Sequence, residues 1–182
     1  MKVLPIPRQT IRAEIQANRD QLRQGIQQLE RLTDDQYTLP VAELGGQRIG
    51  PQFRHILDHY ESFLNGLWTF EIDYEKRARA PQLESSRANA IAKCRELEVK
   101  LERLDWLEPA QPLVVKREEA SAPDSWADSS AARELQYLLS HTIHHCALIA
   151  MLSRWLGVEP DEEFGVAPST QRYRQRLSLC AR

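Results

Sequence analysis

Apolar residues recur at helical spacing in four separate stretches, and this periodicity limits the fold more than any other feature of the chain. The stretches cover residues 10–32, 50–67, 84–104 and 129–157. In each of them the apolar positions form one face, and charged or amide side chains fill much of the rest. Four helices that each bury one face predict an all-α protein, most simply a four-helix bundle.

The region before the last predicted helix breaks this pattern. Residues 113–116 have the composition of a short strand, which we expect to pair in a small hairpin with the residues around Trp126. The tail after Pro160 has no clear period and is expected to be irregular. The predicted fold is therefore a four-helix bundle with a short strand-like hairpin or loop insertion before the last helix. A chain of 182 residues suits one domain, residues 1–182.

Charge, hydropathy and cysteine usage exclude several classes of function. There are 24 Lys and Arg against 26 Asp and Glu, so the chain lacks the basic surplus of a nucleic-acid binder. Its longest uncharged apolar run, 146–152, is far shorter than the roughly 20 residues of a membrane helix. The three cysteines form no CxxC pair, and Cys146 is interpreted as a small buried hydrophobe rather than a reactive thiol. No apolar signal segment opens the chain, so a cytoplasmic protein is expected.

The five histidines all fall in the second and fourth predicted helices. His141 and His145 are four residues apart, which places both imidazoles on one helical face. Such a pair can bind one transition-metal ion, and a facing helix can supply a third ligand from His55 or His59. The spacing alone leaves that third ligand open, whereas His144 points away from the shared face. Three neutral imidazoles with open positions are typical of a catalytic metal site.

Other polar residues near the histidines have two interpretations each. Glu134 lies seven residues before His141, hence on the same face, where it either orients a ligand or serves as an ordinary carboxylate at a helix start. Asp58, Glu61 and Tyr137 could orient ligands or handle protons. We interpret them instead as surface charges and a core aromatic residue.

Five motifs together are characteristic of one known family. They are Ile49-Gly50-Pro51-Gln52-Phe53-Arg54-His55-Ile56-Leu57-Asp58-His59-Tyr60, His141-Thr142-Ile143-His144-His145, Ile72-Asp73-Tyr74 followed by Arg77 and Arg79, Arg133-Glu134-Leu135-Gln136, and Phe164-Gly165-Val166-Ala167-Pro168-Ser169-Thr170. In this combination the chain resembles the DinB-like superfamily of damage-inducible proteins. The resemblance covers most of the chain beyond the first predicted helix.

The resemblance implies a fold, a metal and a set of ligands. Family members are four-helix bundles that bind a divalent ion, often zinc or nickel, through one histidine of the second helix and two of the last. On this chain the matching residues are His55, His141 and His145, and His59 and His144 become neighbours of the site. Imidazole ligands alone suit iron as well. The resemblance also implies a homodimer.

Characterised members of the superfamily suggest a reaction class without fixing the substrate. They include bacillithiol-using thiol transferases, mycothiol-dependent maleylpyruvate isomerases and a domain of ergothioneine-forming sulfoxide synthases. This chain departs from them after the last ligand, where Cys146-Ala147-Leu148 replaces their motifs. We expect a metal-dependent protein, in particular a transferase that joins a low-molecular-weight thiol to a small electrophile. The alternative is a non-enzymatic, stress-associated bundle that binds a metal.

Overall fold

The computed structural model describes residues 8–118 and 125–180, with side chains over 11–118 and 125–177. Within these ranges the protein is mostly helical and carries one small sheet. Its elements in chain order are α1 (Arg8–Arg31), α2 (Asp34–Thr38), a 3-10 helix (Ala42–Leu44), α3 (Ile49–Thr69), β1 (Glu71–Ile72), α4 (Pro81–Ser85), α5 (Arg87–Glu102), β2 (Pro112–Lys116), β3 (Trp126–Ser130), α6 (Ala131–Trp155) and α7 (Pro168–Cys180).

The four long helices α1, α3, α5 and α6 lie where the apolar periodicity predicts them, and they confirm the helical class. α1 packs against α5 and α6, and α3 packs against the same two helices. The core between them consists mainly of aliphatic and aromatic side chains, among which Leu29, Phe63, Leu97 and Leu135 are fully buried. The amphipathic stripes of the sequence thus become the shared interior.

Hydrogen bonds between buried side chains join three of these helices. The Tyr60 hydroxyl of α3 donates to Asn18 Oδ1 of α1 at 2.8 Å and accepts from Thr142 Oγ1 of α6 at 3.1 Å. Asn18 also donates to the backbone oxygen of Leu135. Because all these groups are buried, the network fixes how α3 and α6 face each other.

The third predicted helix is shorter than expected. Periodicity predicted one helix over 84–104, but α5 begins at Arg87 and the separate helix α4 precedes it. The break falls at Ser86, whose backbone is extended and whose side chain accepts a hydrogen bond from the Asn89 amide. A serine cap of this kind starts a new helix even where the apolar pattern continues.

The predicted hairpin is confirmed, and a third strand joins it. β2 pairs with β3 in antiparallel register, with Leu113 opposite Ser129. On its other side β2 pairs in parallel with β1, with Ile72 opposite Val115. β1 has only two residues, too few for an alternating pattern to show in the sequence.

The tail contains a helix, contrary to the prediction of an irregular segment. It forms helix α7, with Pro168 in the first turn, where a proline is well tolerated. Sequence periodicity missed α7 because its described side chains are almost all exposed and form no apolar stripe. Just before it, Gly165 has a φ of 72°, and a Cβ at this position would lie 2.5 Å from the Ala147 backbone. Glycine at this position therefore permits the chain to pass close to the α6 backbone before α7 begins.

Candidate metal centre

Helices α3 and α6 bring three histidines together in their interface. His55 comes from α3, and His141 and His145 come from successive turns of α6. Each of them offers one ring nitrogen, and these three atoms all lie within 4.8 Å of one another. The side chains are half-buried, and the Nε2 atoms of His55 and His141 are 3.0 Å apart. The structure therefore brings His55, the third ligand that the resemblance implies, next to His141 and His145 of α6.

A hydrogen bond to its outer ring nitrogen decides which nitrogen of His145 faces inward. His145 Nδ1 lies 2.7 Å from Gln52 Oε1, so Nδ1–H donates and the Nε2 lone pair stays free. His141 Nδ1 is buried without a hydrogen-bond partner. Ring nitrogens of this kind, neutral and without a full set of partners, suit a divalent transition-metal ion.

The three imidazoles are neutral at physiological pH. Burial is the main cause, and it lowers the pKa of His141 to about 2, of His55 to about 3 and of His145 to about 4. Neighbouring imidazoles and the positive charge of Arg77 lower these pKa values further. A metal binds only the neutral form of histidine, so no second ring proton has to be removed before an ion can bind.

The two remaining histidines occupy different places. His59 is 2% exposed, and its ring stacks on His141 with centroids 4.0 Å apart and on Tyr74 at 5.2 Å. Its Nδ1–H donates to the backbone oxygen of His55 at 2.8 Å, an i to i−4 bond that aligns the ring with the helix. His59 is therefore a buried neighbour of the cluster. His144 is exposed on α6, as the helical phase predicts.

Sequence reasoning missed the position of Arg77. Its Nη1 atom lies 3.2 Å from His55 Nδ1 and 3.2 Å from His59 Nε2. Arg77 stands in the irregular segment between β1 and α4, where no periodicity indicates which way a side chain points. The only signal in the sequence is its place in the motif that begins Ile72-Asp73-Tyr74.

Glu134 contacts the cluster only through an intermediate residue. Its carboxylate accepts a hydrogen bond from the Tyr74 hydroxyl at 2.9 Å and another from Ser129 Oγ. Tyr74 in turn stacks on His59. Glu134 also lies in the first turn of α6, as its interpretation as a helix-start carboxylate has it, and its hydrogen bond to Tyr74 stops short of the three proposed ligands.

The other polar candidates divide between core and surface. Asp58 is 3% exposed, so its interpretation as a surface charge is wrong; burial raises its pKa, and Arg54 Nε lies 3.8 Å away. Glu61 forms an ion pair with Lys93 at 2.7 Å. Tyr137 is half-buried and stacks on His141, with centroids 5.6 Å apart.

Cys146 fits its interpretation as a small core residue. It is fully buried, and burial raises the pKa of its thiol well above the usual value. A protonated thiol without access to solvent is a poor nucleophile.

A cavity of about 350 Å³ lies next to Tyr74 and Tyr137, and none of the histidines lines it. Tyr74 and Tyr137, which contact His59 and His141, form part of its wall. Arg133 and Glu134 of α6 and Lys116 of β2 contribute charged groups. The volume is that of a site for a small molecule.

The fold and the site together define a mostly helical protein with a three-histidine group in the interface of two long helices. A family comparison agrees, because residues 8–165 match the DinB family. The chain belongs to the DinB family. Among curated proteins no match was found. Within 8–118 and 125–180, no helix is both long and apolar enough to cross a membrane.

Proposed function

We propose that this DinB family protein is a metal-dependent enzyme in which His55, His141 and His145 hold one divalent ion. The observation that supports this proposal best is that three neutral ring nitrogens lie within 4.8 Å of one another. They belong to two helices that buried hydrogen bonds of Tyr60 help to hold in place. Zinc and nickel are the expected ions, with iron as a further candidate.

The chain's own residues prepare the site for chemistry. A divalent ion held there would lower the pKa of a bound water or thiol, so that a nucleophile forms at neutral pH. Gln52 fixes the ring of His145, and the stack of His59 on His141 restricts the ring of His141. The cavity walled by Tyr74 and Tyr137, whose rings stack on His59 and His141, supplies room for a small substrate.

For the reaction we propose thiol transfer to a small electrophile, as the resemblance suggests. The S–H bond of a low-molecular-weight thiol breaks and its sulfur forms a bond to an electrophilic carbon of the second substrate, while the leaving group on that carbon departs with its bonding electron pair and takes up the proton. Cys146, next to His145 in the sequence, is buried and protonated and so does not supply that thiol.

The proposal extends to the assembly. In it, α1, α3, α5 and α6 form the four-helix bundle of a single domain, residues 1–182, which acts as a cytoplasmic homodimer. The pairing of α1 and α3 with the same two helices supports the bundle. Light scattering after gel filtration tests the dimer, which predicts twice the 21.0 kDa chain mass.

Metal content tests the core of the proposal. The protein purified without an affinity tag is compared with His141→Ala and with His144→Ala, an exposed control on the same helix. We expect one ion per chain in the wild-type protein and in His144→Ala, and a strong loss of metal in His141→Ala. Equal metal in all three would show that the ion is held elsewhere.

Thiol consumption separates an enzyme from a metal-binding protein without turnover. The metal-loaded protein is incubated with a low-molecular-weight thiol and a panel of electrophiles, and free thiol is measured over time. We expect metal-dependent loss of thiol with at least one electrophile and none in His141→Ala. No turnover across the panel would favour the non-enzymatic alternative.

A further inference from the structure

Arg77 makes contacts that bear directly on how the histidines could hold an ion. Its Nη1 atom is within 3.2 Å of His55 Nδ1 and of His59 Nε2. A guanidinium has only donors, so the contact with His55 engages the lone pair of His55 Nδ1. The same Nη1 atom lies 3.3 Å from His59 Nδ1 and 3.2 Å from His59 Nε2, so it contacts the His59 ring without selecting one nitrogen.

The Arg77 contact also fixes the proton of the His55 ring. A neutral imidazole has one N–H and one lone pair. With Nδ1 accepting from Arg77, the proton sits on Nε2 and points toward His141 Nε2, 3.0 Å away. In this arrangement both nitrogens of His55 are engaged, and neither offers a lone pair to a metal.

We propose that Arg77 and the metal ion compete for the His55 ring, so that binding of the ion displaces the guanidinium. This inference rests on the proposed metal site. If His55 binds through Nε2, the ring proton moves to Nδ1 and meets the donors of Arg77. If His55 binds through Nδ1, the ion takes the place of Arg77. The Arg77–His55 hydrogen bond is lost in both cases.

Charge acts in the same direction as hydrogen bonding. A guanidinium at hydrogen-bond distance from a ligand repels a divalent cation, and the half-buried setting weakens the screening of that repulsion. Arg77 thus serves as a positioning residue: it holds His55 and His59 in the metal-free form, and it lowers the affinity of the site for the ion.

Zinc affinity measured by competition with a chromophoric chelator tests the proposal. The variants are Arg77→Met, Arg77→Lys and, as a matched control, Arg79→Met, which makes the same change at an exposed position two residues away. We expect Arg77→Met to bind zinc about tenfold more tightly, equivalent to about 1.4 kcal/mol. Arg77→Lys keeps the charge and should stay near the wild type, as should Arg79→Met. Unchanged or weaker binding by Arg77→Met would overturn the proposal.

The tautomer of His55 gives a second readout that a purely structural role would not move. Nitrogen-15 NMR of the imidazoles should show the proton on His55 Nε2 in the metal-free protein. After zinc binding, either the proton should move to His55 Nδ1 or the Nδ1 signal should shift to that of a metal-bound nitrogen. If the His55 signals do not change with zinc, the proposal fails, whether or not Arg77→Met folds.

The same titrations separate this inference from the proposed function. If His141→Ala binds zinc as tightly as the wild type, the three-histidine site is wrong. If His141→Ala loses zinc but Arg77→Met gains no affinity, the site stands and only the role of Arg77 is refuted.

Discussion

Gly50 offers a sharp test of how α3, the helix of His55, is packed. A Cβ built at Gly50 would lie 2.1 Å from the backbone oxygen of Glu84 in α4. Ordinary contact begins near 3.4 Å, so Gly50→Ala requires α4 to retreat by 3.4 − 2.1, or about 1.3 Å. The obstacle is backbone rather than the end of a flexible side chain, so a rotamer change cannot relieve it.

The expected loss of stability follows from two opposing effects. Overpacking costs about 1–3 kcal/mol, and a backbone obstacle places Gly50→Ala at the upper end. Alanine recovers at most about 1 kcal/mol of helix propensity. The net loss is therefore about 2 kcal/mol, which lowers Tm by about 4–8 °C for a chain of this size.

Gly25→Ala in α1 is the matched control. Gly25 is also a buried helical glycine, but its added Cβ meets only the side-chain atom Phe53 Cε1, at 3.3 Å. We expect this variant to equal or exceed the wild type in Tm, because a ring edge can shift by a few tenths of an ångström. Thermal unfolding followed by circular dichroism measures both variants. A Gly50→Ala protein as stable as Gly25→Ala would refute the close contact of α3 and α4.

Two further substitutions test buried polar groups. Tyr60→Phe removes the hydroxyl shared by Asn18 and Thr142 and should cost about 1–3 kcal/mol in urea unfolding with an unchanged m-value; no loss would mean that the network does not join the helices. Burial raises the pKa of Glu14 in the folded state above its unfolded value of 4.5. The protonated Glu14 side chain therefore contributes its full stabilisation of the fold below pH 4.5, and this stabilisation is lost as pH rises through the folded-state pKa. Glu14→Gln should therefore be more stable than the wild type at pH 7 and lose that advantage by pH 4, and a Tm difference independent of pH would contradict this assignment.

Local sequence patterns predicted the long helices and most of the histidine geometry. The apolar stripes of α1, α3 and α6 each repeat over several turns, so their period stands out against chance. The i, i+4 spacing of His141 and His145 fixes their common face without any tertiary information. The place of His144 on the exposed side follows from the same helical phase.

Features that depend on tertiary contacts left little trace in the sequence. Whether His55 or His59 faces the α6 pair depends on the rotation of α3, which helical spacing does not define. Arg77 reaches the cluster from an irregular segment. The exposed helix α7 buries too little for an apolar stripe. In each case the deciding interaction joins residues far apart in the chain.

A crystal grown with zinc or nickel and measured at the absorption edge of that metal tests the central claim most directly. The account predicts one strong anomalous peak per chain, about 2.0–2.1 Å from a ring nitrogen of each of His55, His141 and His145. A strongest peak elsewhere, for instance at the exposed His144, with none among the three histidines, would contradict it.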